Sequence, residues 1–185
     1  MFLFLLVLVP VAISGLDSQC VEEFHKMLGC VKVNRTLFSR IYDLGLDEEW
    51  MDRNLAEEIG NAISCSSMPT CLDAEDFYRL LLQEKWTIDF YHSELKSCLG
   101  NGTLKEIKRI CNSIPRPPSD DLNPCQGIED PCLSEELVKQ KTCTDAHLPD
   151  FKVFSFALHT ECVSLHVPHL ADKWKEYSID YYRSS

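Results

Sequence analysis

Cysteine is the residue type with the most chemical potential in this chain. The 185 residues include ten cysteines, and a thiolate can act as a nucleophile, bind a metal or form a disulfide. A catalytic thiolate must be free and activated, whereas an even number of cysteines in an oxidising compartment is typical of a disulfide framework. We therefore expect five disulfides that use every cysteine: Cys20, Cys30, Cys65, Cys71, Cys98, Cys111, Cys125, Cys132, Cys143 and Cys162.

Helix geometry limits the pairing of these cysteines without fixing it. Cys20 and Cys30 share one predicted helix, and Cys132 and Cys143 share another. A helix rises about 1.5 Å per residue, so the members of each pair would be about 15 Å apart. The Cα atoms of a disulfide are only about 4.4–6.8 Å apart. We therefore exclude both of these pairs.

An up-and-down arrangement of the first four predicted helices would sort the cysteines by the end at which they lie. Cys30 and Cys98 would lie at one end of the bundle. The four cysteines after the proline-rich loop would then pair among themselves. The cysteines expected at the opposite end of the bundle are Cys20, Cys65, Cys71 and Cys111.

Other constellations that carry chemistry are weak in this sequence. No G-x-S-x-G motif, which presents a nucleophilic serine on a sharp turn, occurs in the chain. Among the histidines, His159, His166 and His169 cluster, but Pro168 argues against one shared helical face. With the thiols in disulfides, zinc would also lack a fourth ligand.

The acidic residues do not form a recognisable site either. The run at 47–49 lacks the alternating oxygen ligands and the central glycine of a calcium loop. Carboxylates for glycosidase chemistry could occur among the 29 acidic residues, but nothing in the sequence singles out a pair. We therefore predict no enzymatic activity, no catalytic residue, no cofactor and no metal site.

The charge balance excludes two classes of partner. Lys and Arg number 18 and Asp and Glu number 29, so the net charge is −11. Nucleic acids and anionic membrane surfaces are bound by basic protein surfaces. We therefore expect neither of them as a partner, and we expect an extracellular protein instead.

Residues 1–15 have the pattern of a secretory signal peptide. Positions 1–9 are almost entirely Phe, Leu and Val and carry no charged side chain, Pro10 ends this run, and the small residues Ser14 and Gly15 follow. The run is shorter than the roughly 20 apolar residues of a membrane span, and no later segment is apolar enough to span. We expect cleavage near Ser14 or Gly15 and a secreted, extracellular protein.

Two N-x-[ST] sequons fit the same compartment. Asn34 is followed by Arg35-Thr36, and Asn101 by Gly102-Thr103. Because this tripeptide is the acceptor of N-linked glycans in secreted proteins, we predict N-glycosylation at Asn34 and Asn101.

The elements that position these residues are predicted to be helices. Apolar residues recur at steps of three and four, which favours an all-α, disulfide-stapled bundle of about five to six helices. A strand over 152–158 is the alternative for part of the last segment. The segments are 20–31, one opening near Gly45 or Asp47 and ending at Cys65, 73–98, 103–111, one starting at Pro131 and carrying Cys143, and 150–165.

Several residues have the types that begin or end helices. Asp73 is a candidate N-cap, and Gly100 is a candidate left-handed residue after the long helix. Thr103 and Glu106 have the spacing of a capping box. Asp130 followed by proline is typical of an N-cap and the first helical position.

We expect one cysteine-rich domain over 16–185. Four prolines between 113 and 124 predict a loop that joins two subregions, 20–112 and 125–170. An aromatic C-terminal segment follows the last cysteine. It would either strap back onto the bundle or form a binding anchor. Its aromatic residues are Trp174, Tyr177, Tyr181 and Tyr182.

The order of the cysteines resembles a family of secreted, cysteine-rich helical domains of nematode type, catalogued as domain of unknown function nineteen. The resemblance covers nearly the whole mature chain and implies an extracellular, disulfide-bonded domain without catalytic residues. Members often carry a further cysteine soon after the position of Cys71, and 72–96 has none. The resemblance rests on Cys20-x9-Cys30, Cys65-x5-Cys71, a long helix into Cys98, Cys111, Cys125-x6-Cys132-x10-Cys143 and a helix bearing Cys162.

These observations predict a secreted, disulfide-rich protein that acts by binding an extracellular protein partner. A venom or secreted effector polypeptide is one alternative, because small acidic disulfide scaffolds are common in that class. An extracellular carrier of a lipid or another small ligand is the other, in which the helices would enclose an apolar cavity.

Overall fold

Six helices make up the ordered elements of the computed structural model, which describes residues 18–31, 53–100, 102–114, 125, 128 and 130–165. No strand occurs among these residues, so the predicted all-α, disulfide-stapled class is confirmed. The helices are α1 (Ser18–Val31), α2 (Arg53–Cys65), α3 (Leu72–Phe90, continued by the π turn Tyr91–Leu95 and the short turn Lys96–Leu99), α4 (Thr103–Asn112), α5 (Pro131–Leu137) and α6 (His147–Leu165).

Several predictions fall on residues outside these described ranges. They are the signal peptide at 1–15, the glycosylation sites Asn34 and Asn101, the start of the second predicted helix, most of the loop at 113–124 and the aromatic C-terminal segment.

Helix α3 lies at the centre of the molecule and packs against α1, α2 and α6. Its apolar stripe is buried as predicted, at Phe77, Leu80, Leu81, Ile88, Tyr91, Leu95 and Cys98. On one side the ring of Phe77 lies 4.8 Å from that of Phe24 in α1. On the other side the ring of Tyr91 lies 5.9 Å from that of Phe154 in α6. A single cluster of buried residues therefore joins helices from before and after the proline-rich loop.

The start of α3 differs from the prediction. The N-cap is Cys71, in extended conformation, and the helix begins at Leu72, so Asp73 lies within the first turn. The reason is a tertiary contact, because the Glu23 carboxylate of α1 accepts hydrogen bonds from the backbone N–H groups of Thr70 and Cys71. The acceptor that holds this helix start comes from another helix, which local sequence does not reveal.

The junction of α3 and α4 also corrects two predictions. Gly100 is extended (φ −66°, ψ 173°), and the left-handed residue is Gly102 (φ +83°), the N-cap of α4. A Cβ atom at Gly100 would lie 2.6 Å from the Lys96 carbonyl oxygen, so close approach requires glycine there. The capping box is absent, because Thr103 donates to the Gly100 carbonyl and Glu106 pairs with Arg109.

The prediction at Asp130 is confirmed. Its side chain accepts a hydrogen bond of 2.9 Å from the Cys132 N–H, with Pro131 as the first helical residue. Helix α5 is shorter than predicted and ends at Leu137, so Cys132 and Cys143 do not share a helix. Cys132 and Cys143 are bonded to other cysteines, as predicted, but a shared helix is not the reason.

Helix α6 confirms the helical alternative for the last segment. It begins at His147, three residues before the predicted start, and includes the whole of 152–158. Its buried face carries the predicted stripe of Phe151, Phe154, Leu158 and Cys162.

All ten cysteines lie in five pairs, and the Cα atoms of each pair are between 4.6 and 5.7 Å apart. The predicted grouping of the cysteines by bundle end is wrong. Cys30 is bonded to Cys65, a cysteine expected at the opposite end. Two further bonds join a cysteine before the proline-rich loop to a cysteine after it. The pairs are Cys20–Cys71, Cys30–Cys65, Cys98–Cys143, Cys111–Cys132 and Cys125–Cys162.

The path of the chain explains the first two bonds. Cys20 and Cys30 are about 15 Å apart along α1, and their partners Cys71 and Cys65 lie at the two ends of the segment 66–70. This segment therefore runs back along α1. The end of α2 meets the C-terminal end of α1 and the start of α3 meets its N-terminal end, whereas an up-and-down arrangement would place both at the same end of α1.

We predict that the double variant Cys98→Ala/Cys143→Ala loses about 4 kcal/mol of unfolding free energy, because this bond closes a separation of 45 residues. The variant Cys111→Ala/Cys132→Ala should lose less, about 3 kcal/mol, for a separation of 21. Urea unfolding followed by circular dichroism measures both. Non-reducing peptide mapping that pairs Cys143 with Cys125 or Cys162 would contradict the observed connectivity.

Candidate functional site

The ten predicted site cysteines hold helices together and leave no free thiol. In the described part of the chain, one group of three potential metal ligands lies within mutual reach, namely Cys20, Cys71 and Asp73. The two sulfur atoms of that group are bonded to each other, so it has no thiolate to offer a metal ion. The cysteines therefore serve the framework, and chemistry has to be sought elsewhere in the described residues.

A pair of buried carboxyl groups lies between α3 and α6. Glu84 and Glu161 are each 1 % exposed, which is rare for glutamate in any protein. The two helices run antiparallel here, since Tyr91 contacts Phe154 while Thr87, one turn earlier on α3, contacts Glu161 near the end of α6. Glu84 continues the apolar stripe of α3, and Glu161 lies between Leu158 and Cys162 on that of α6. Helix packing itself therefore forces the two carboxyl groups together.

Hydrogen bonds connect the pair to one hydroxyl group. Thr87 Oγ1 lies 2.5 Å from Glu161 Oε1 and 3.0 Å from the Gln83 carbonyl oxygen. The carboxyl groups of Glu84 and Glu161 lie close enough to hydrogen-bond each other when one of them is protonated, and among the described residues Glu84 Oε1 and Glu161 Oε2 have no hydrogen-bond donor. Because an ionised carboxylate only accepts hydrogen bonds, this contact requires a proton on at least one of the two groups.

Burial sets the ionisation of the pair. Desolvation raises the pKa of Glu161 to about 7, although the hydrogen bonds from Thr87 and Glu84 favour its charged form. Desolvation, with the nearby charge of Glu161 and the hydrogen bond to it, raises the pKa of Glu84 well above its usual range. The pair as a whole therefore retains at least one proton above the pH range in which glutamate ordinarily ionises.

The arrangement of the pair suits proton storage better than catalysis. A general acid or base must come within hydrogen-bond reach of a substrate proton, and neither carboxyl group is accessible in this packing. The pair can hold either one or two protons at the seam, the packed surface between α3 and α6. When it holds one proton, it carries a buried negative charge.

The signal for this pair was present in the sequence. Each glutamate occupies a core position of an apolar stripe, Glu84 between Leu81 and Ile88 and Glu161 between Leu158 and Cys162. An acidic residue at a core position of a helix is a candidate for an unusual pKa. That the two residues meet depends on how α3 and α6 pack, which the stripes alone do not specify.

A second polar cluster fixes the start of α3. Glu23 accepts hydrogen bonds from the Thr70 hydroxyl (2.6 Å) and from the N–H groups of Thr70 and Cys71 (2.9 Å each). Gln19 donates a further bond of 3.2 Å. These bonds, led by those from the Thr70 side chain and the Cys71 backbone, lower the pKa of Glu23 to about 2. The carboxylate thus clamps the segment 66–70 onto α1.

Several large apolar side chains are exposed on the outer sides of α3 and α6. The exposed fractions are 44 % for Trp86 and 64 % for Phe156, and Trp86 stacks on the half-buried Phe90 with ring centroids 4.8 Å apart. Helical phase places these residues on the side of the two helices away from the core. We call this set the outer apolar face; its members are Leu82, Trp86, Phe90, Val153, Phe156 and Val163.

An open cleft of about 420 Å³ adjoins the outer apolar face at Phe156. Ile128 adds a second apolar wall, and the polar groups come from Asp130 and Lys152. The face and the cleft together form a surface on which apolar and charged groups of another molecule could both find partners.

Comparison of the chain with protein families, with curated proteins and with solved structures finds no match. Within the described ranges, no helix is both long enough and apolar enough to cross a membrane.

We predict that Glu23→Gln lowers the unfolding free energy by about 1–2 kcal/mol at pH 7, because the amide NH₂ faces backbone donors that the carboxylate satisfies. The folded-state pKa of Glu23 is lowered, so its contribution is present above pH 4.5 and is lost as the pH falls toward 2. The difference between variant and parent should therefore shrink over that range in urea titrations.

The control for this variant is Glu22→Gln on the same helix. Glu22 is exposed and pairs with Lys26 at the surface, where an ion pair contributes little. Equal losses in the two variants at pH 7 would show that Glu23 does not clamp the segment.

Proposed function

We propose that this chain is a secreted, N-glycosylated binding protein that acts on an extracellular protein partner through the outer apolar face. The observation that carries the proposal is the exposure of Trp86 and Phe156 on a framework closed by five disulfides. Contiguous exposed apolar surface is costly in water and typically marks an interaction site.

The disulfides support the extracellular part of the proposal. Paired cysteines persist in oxidising compartments and are rare in the cytosol. The signal-peptide pattern at 1–15 and the sequons at Asn34 and Asn101 agree with that compartment. The proposed relationship to domain of unknown function nineteen would place the chain there too.

The chemistry of the face supports a protein as the partner. Tryptophan is among the side chains that contribute most to binding at protein interfaces, and aromatic residues are enriched there. The net charge of −11 favours a partner whose contacting surface is apolar with basic groups around it, since complementary charge accelerates association.

The proposal is tested by binding to proteins of an extracellular fluid from the source tissue, with the disulfide-bonded full chain as bait. We predict that Trp86→Ala and Phe156→Ser each weaken the affinity for a partner about tenfold or more, which corresponds to about 1.4 kcal/mol or more. Isothermal titration calorimetry with the isolated partner measures the change.

Met68→Ser is the matched control, because Met68 is a similarly exposed apolar side chain (60 %) in the segment 66–70, outside the outer apolar face. It should bind the partner as the parent does. Equal affinity in all three variants would place the binding surface elsewhere. A lipid retained in native mass spectrometry, with no protein bound, would favour the carrier alternative.

A second prediction concerns the compartment. Expressed in eukaryotic cells, the full chain should appear in the medium, begin near residue 16 and lose glycan mass from Asn34 and Asn101 on glycosidase treatment. Alkylation without reduction should label none of its ten cysteines. Retention in the cytosol, or a labelled thiol, would contradict the proposal.

A further inference from the structure

The seam between α3 and α6 combines covalent links at its margins with a proton-dependent contact between them. Cys98, in the last turn of α3, is bonded to Cys143, shortly before α6. At the far end of α6, Cys162 is bonded to Cys125. Between these links the helices are held by noncovalent contacts, and the polar ones described are the contact of Thr87 with Glu161 and the hydrogen bond that the Gln83 side chain donates to the Ala157 carbonyl oxygen.

The hydroxyl group of Thr87 shows how proton number changes this contact. Thr87 has one hydroxyl proton but two oxygen neighbours, Glu161 Oε1 and the Gln83 carbonyl. With Glu161 protonated, its O–H can donate to Thr87, which then donates to Gln83. With Glu161 ionised, Thr87 must turn its proton to the carboxylate. Only the first arrangement is a continuous chain of donors without a buried charge.

Among the described residues, no cation compensates the charge of the second arrangement. Within that part of the chain, Glu161 is the charged group that acts on Glu84, and the side chains of Thr87 and Glu84 are the hydrogen-bonding groups that act on Glu161. The buried residues that the other helices contribute to this core are apolar, as with Phe24 of α1, Ile59 of α2 and Leu137 of α5. A buried carboxylate with two donors and no cation is unfavourable.

We propose that Glu84 and Glu161 form an acid-tightened latch, in which the protonated pair holds α6 against α3 and loss of its protons loosens the seam. The Cys98–Cys143 bond keeps the end of α3 close to the start of α6. The latch thus controls how often the seam opens to water and leaves the connectivity of the fold unchanged.

The direction of the pH dependence follows from linkage. In the open form both carboxyl groups are solvated and ionise in the ordinary range of glutamate, whereas the closed form retains protons to higher pH. The opening equilibrium therefore rises by about tenfold per pH unit for each proton that only the closed form retains. Opening is least frequent at about pH 4.5 and below, and becomes more frequent as the pH rises.

The latch goes beyond the proposed binding function and is tested without any partner. Hydrogen exchange of the full, disulfide-bonded chain is measured by mass spectrometry at pH 5.5 and pH 8.0, with correction for the pH dependence of intrinsic exchange. We expect the protection of peptides from α6, residues 151–165, to fall about tenfold or more between the two conditions.

The double variant Glu84→Gln/Glu161→Gln keeps the shape of both side chains and removes both ionisations. Its α6 protection should change less than threefold over the same range. Glu58→Gln, which alters an exposed glutamate of α2, should behave as the parent does. Parent protection that is independent of pH, or a double variant with the same dependence as the parent, would overturn the latch.

A measurement on the parent alone covers the case in which the double variant does not fold. Infrared spectroscopy of the folded protein should show the carbonyl band of protonated carboxyl groups at pH 6, above the range in which exposed glutamates titrate. If that band is already lost between pH 4 and pH 5, where the exposed carboxyl groups ionise, the proposal would equally be overturned.

Discussion

The burial of α3 against α1, α2 and α6 is the constraint on which the rest of the structure depends. One stripe of this long helix meets all three neighbours, so every residue on it must be buried, including Glu84. The clamp at Glu23 fixes where the helix begins, and the bond from Cys98 fixes what its end touches. Changes anywhere on this helix are therefore transmitted to several others at once.

The disulfides explain how the fold tolerates a polar group at its centre. Burying two carboxyl groups without a cation costs stability, and bonds that close separations of 21 to 51 residues restrict the unfolded chain. A framework stabilised in this way retains its connectivity when the seam between α3 and α6 weakens. Such a pair of carboxyl groups is thus more easily tolerated here than in a helical bundle of this size without covalent links.

The same two helices carry both features of functional interest on opposite sides. Their inner sides hold the carboxyl pair, closed to solvent, and their outer sides carry Trp86 and Phe156. Because the carboxyl pair is closed to solvent, its role concerns the stability of the helix packing. The exposed outer side is the one that can contact a partner.

The sequence by itself determined the helices, their buried stripes and the cap at Asp130, because these depend on side-chain periodicity and on contacts within a few residues. It also contained the two glutamates at core positions, without indicating that they meet. Only the tertiary structure decided the disulfide pairing, the true start of α3 and the pair of Glu84 with Glu161. Each of these depends on how separate helices cross and on the path of 66–70, and therefore on distances between residues far apart in the chain.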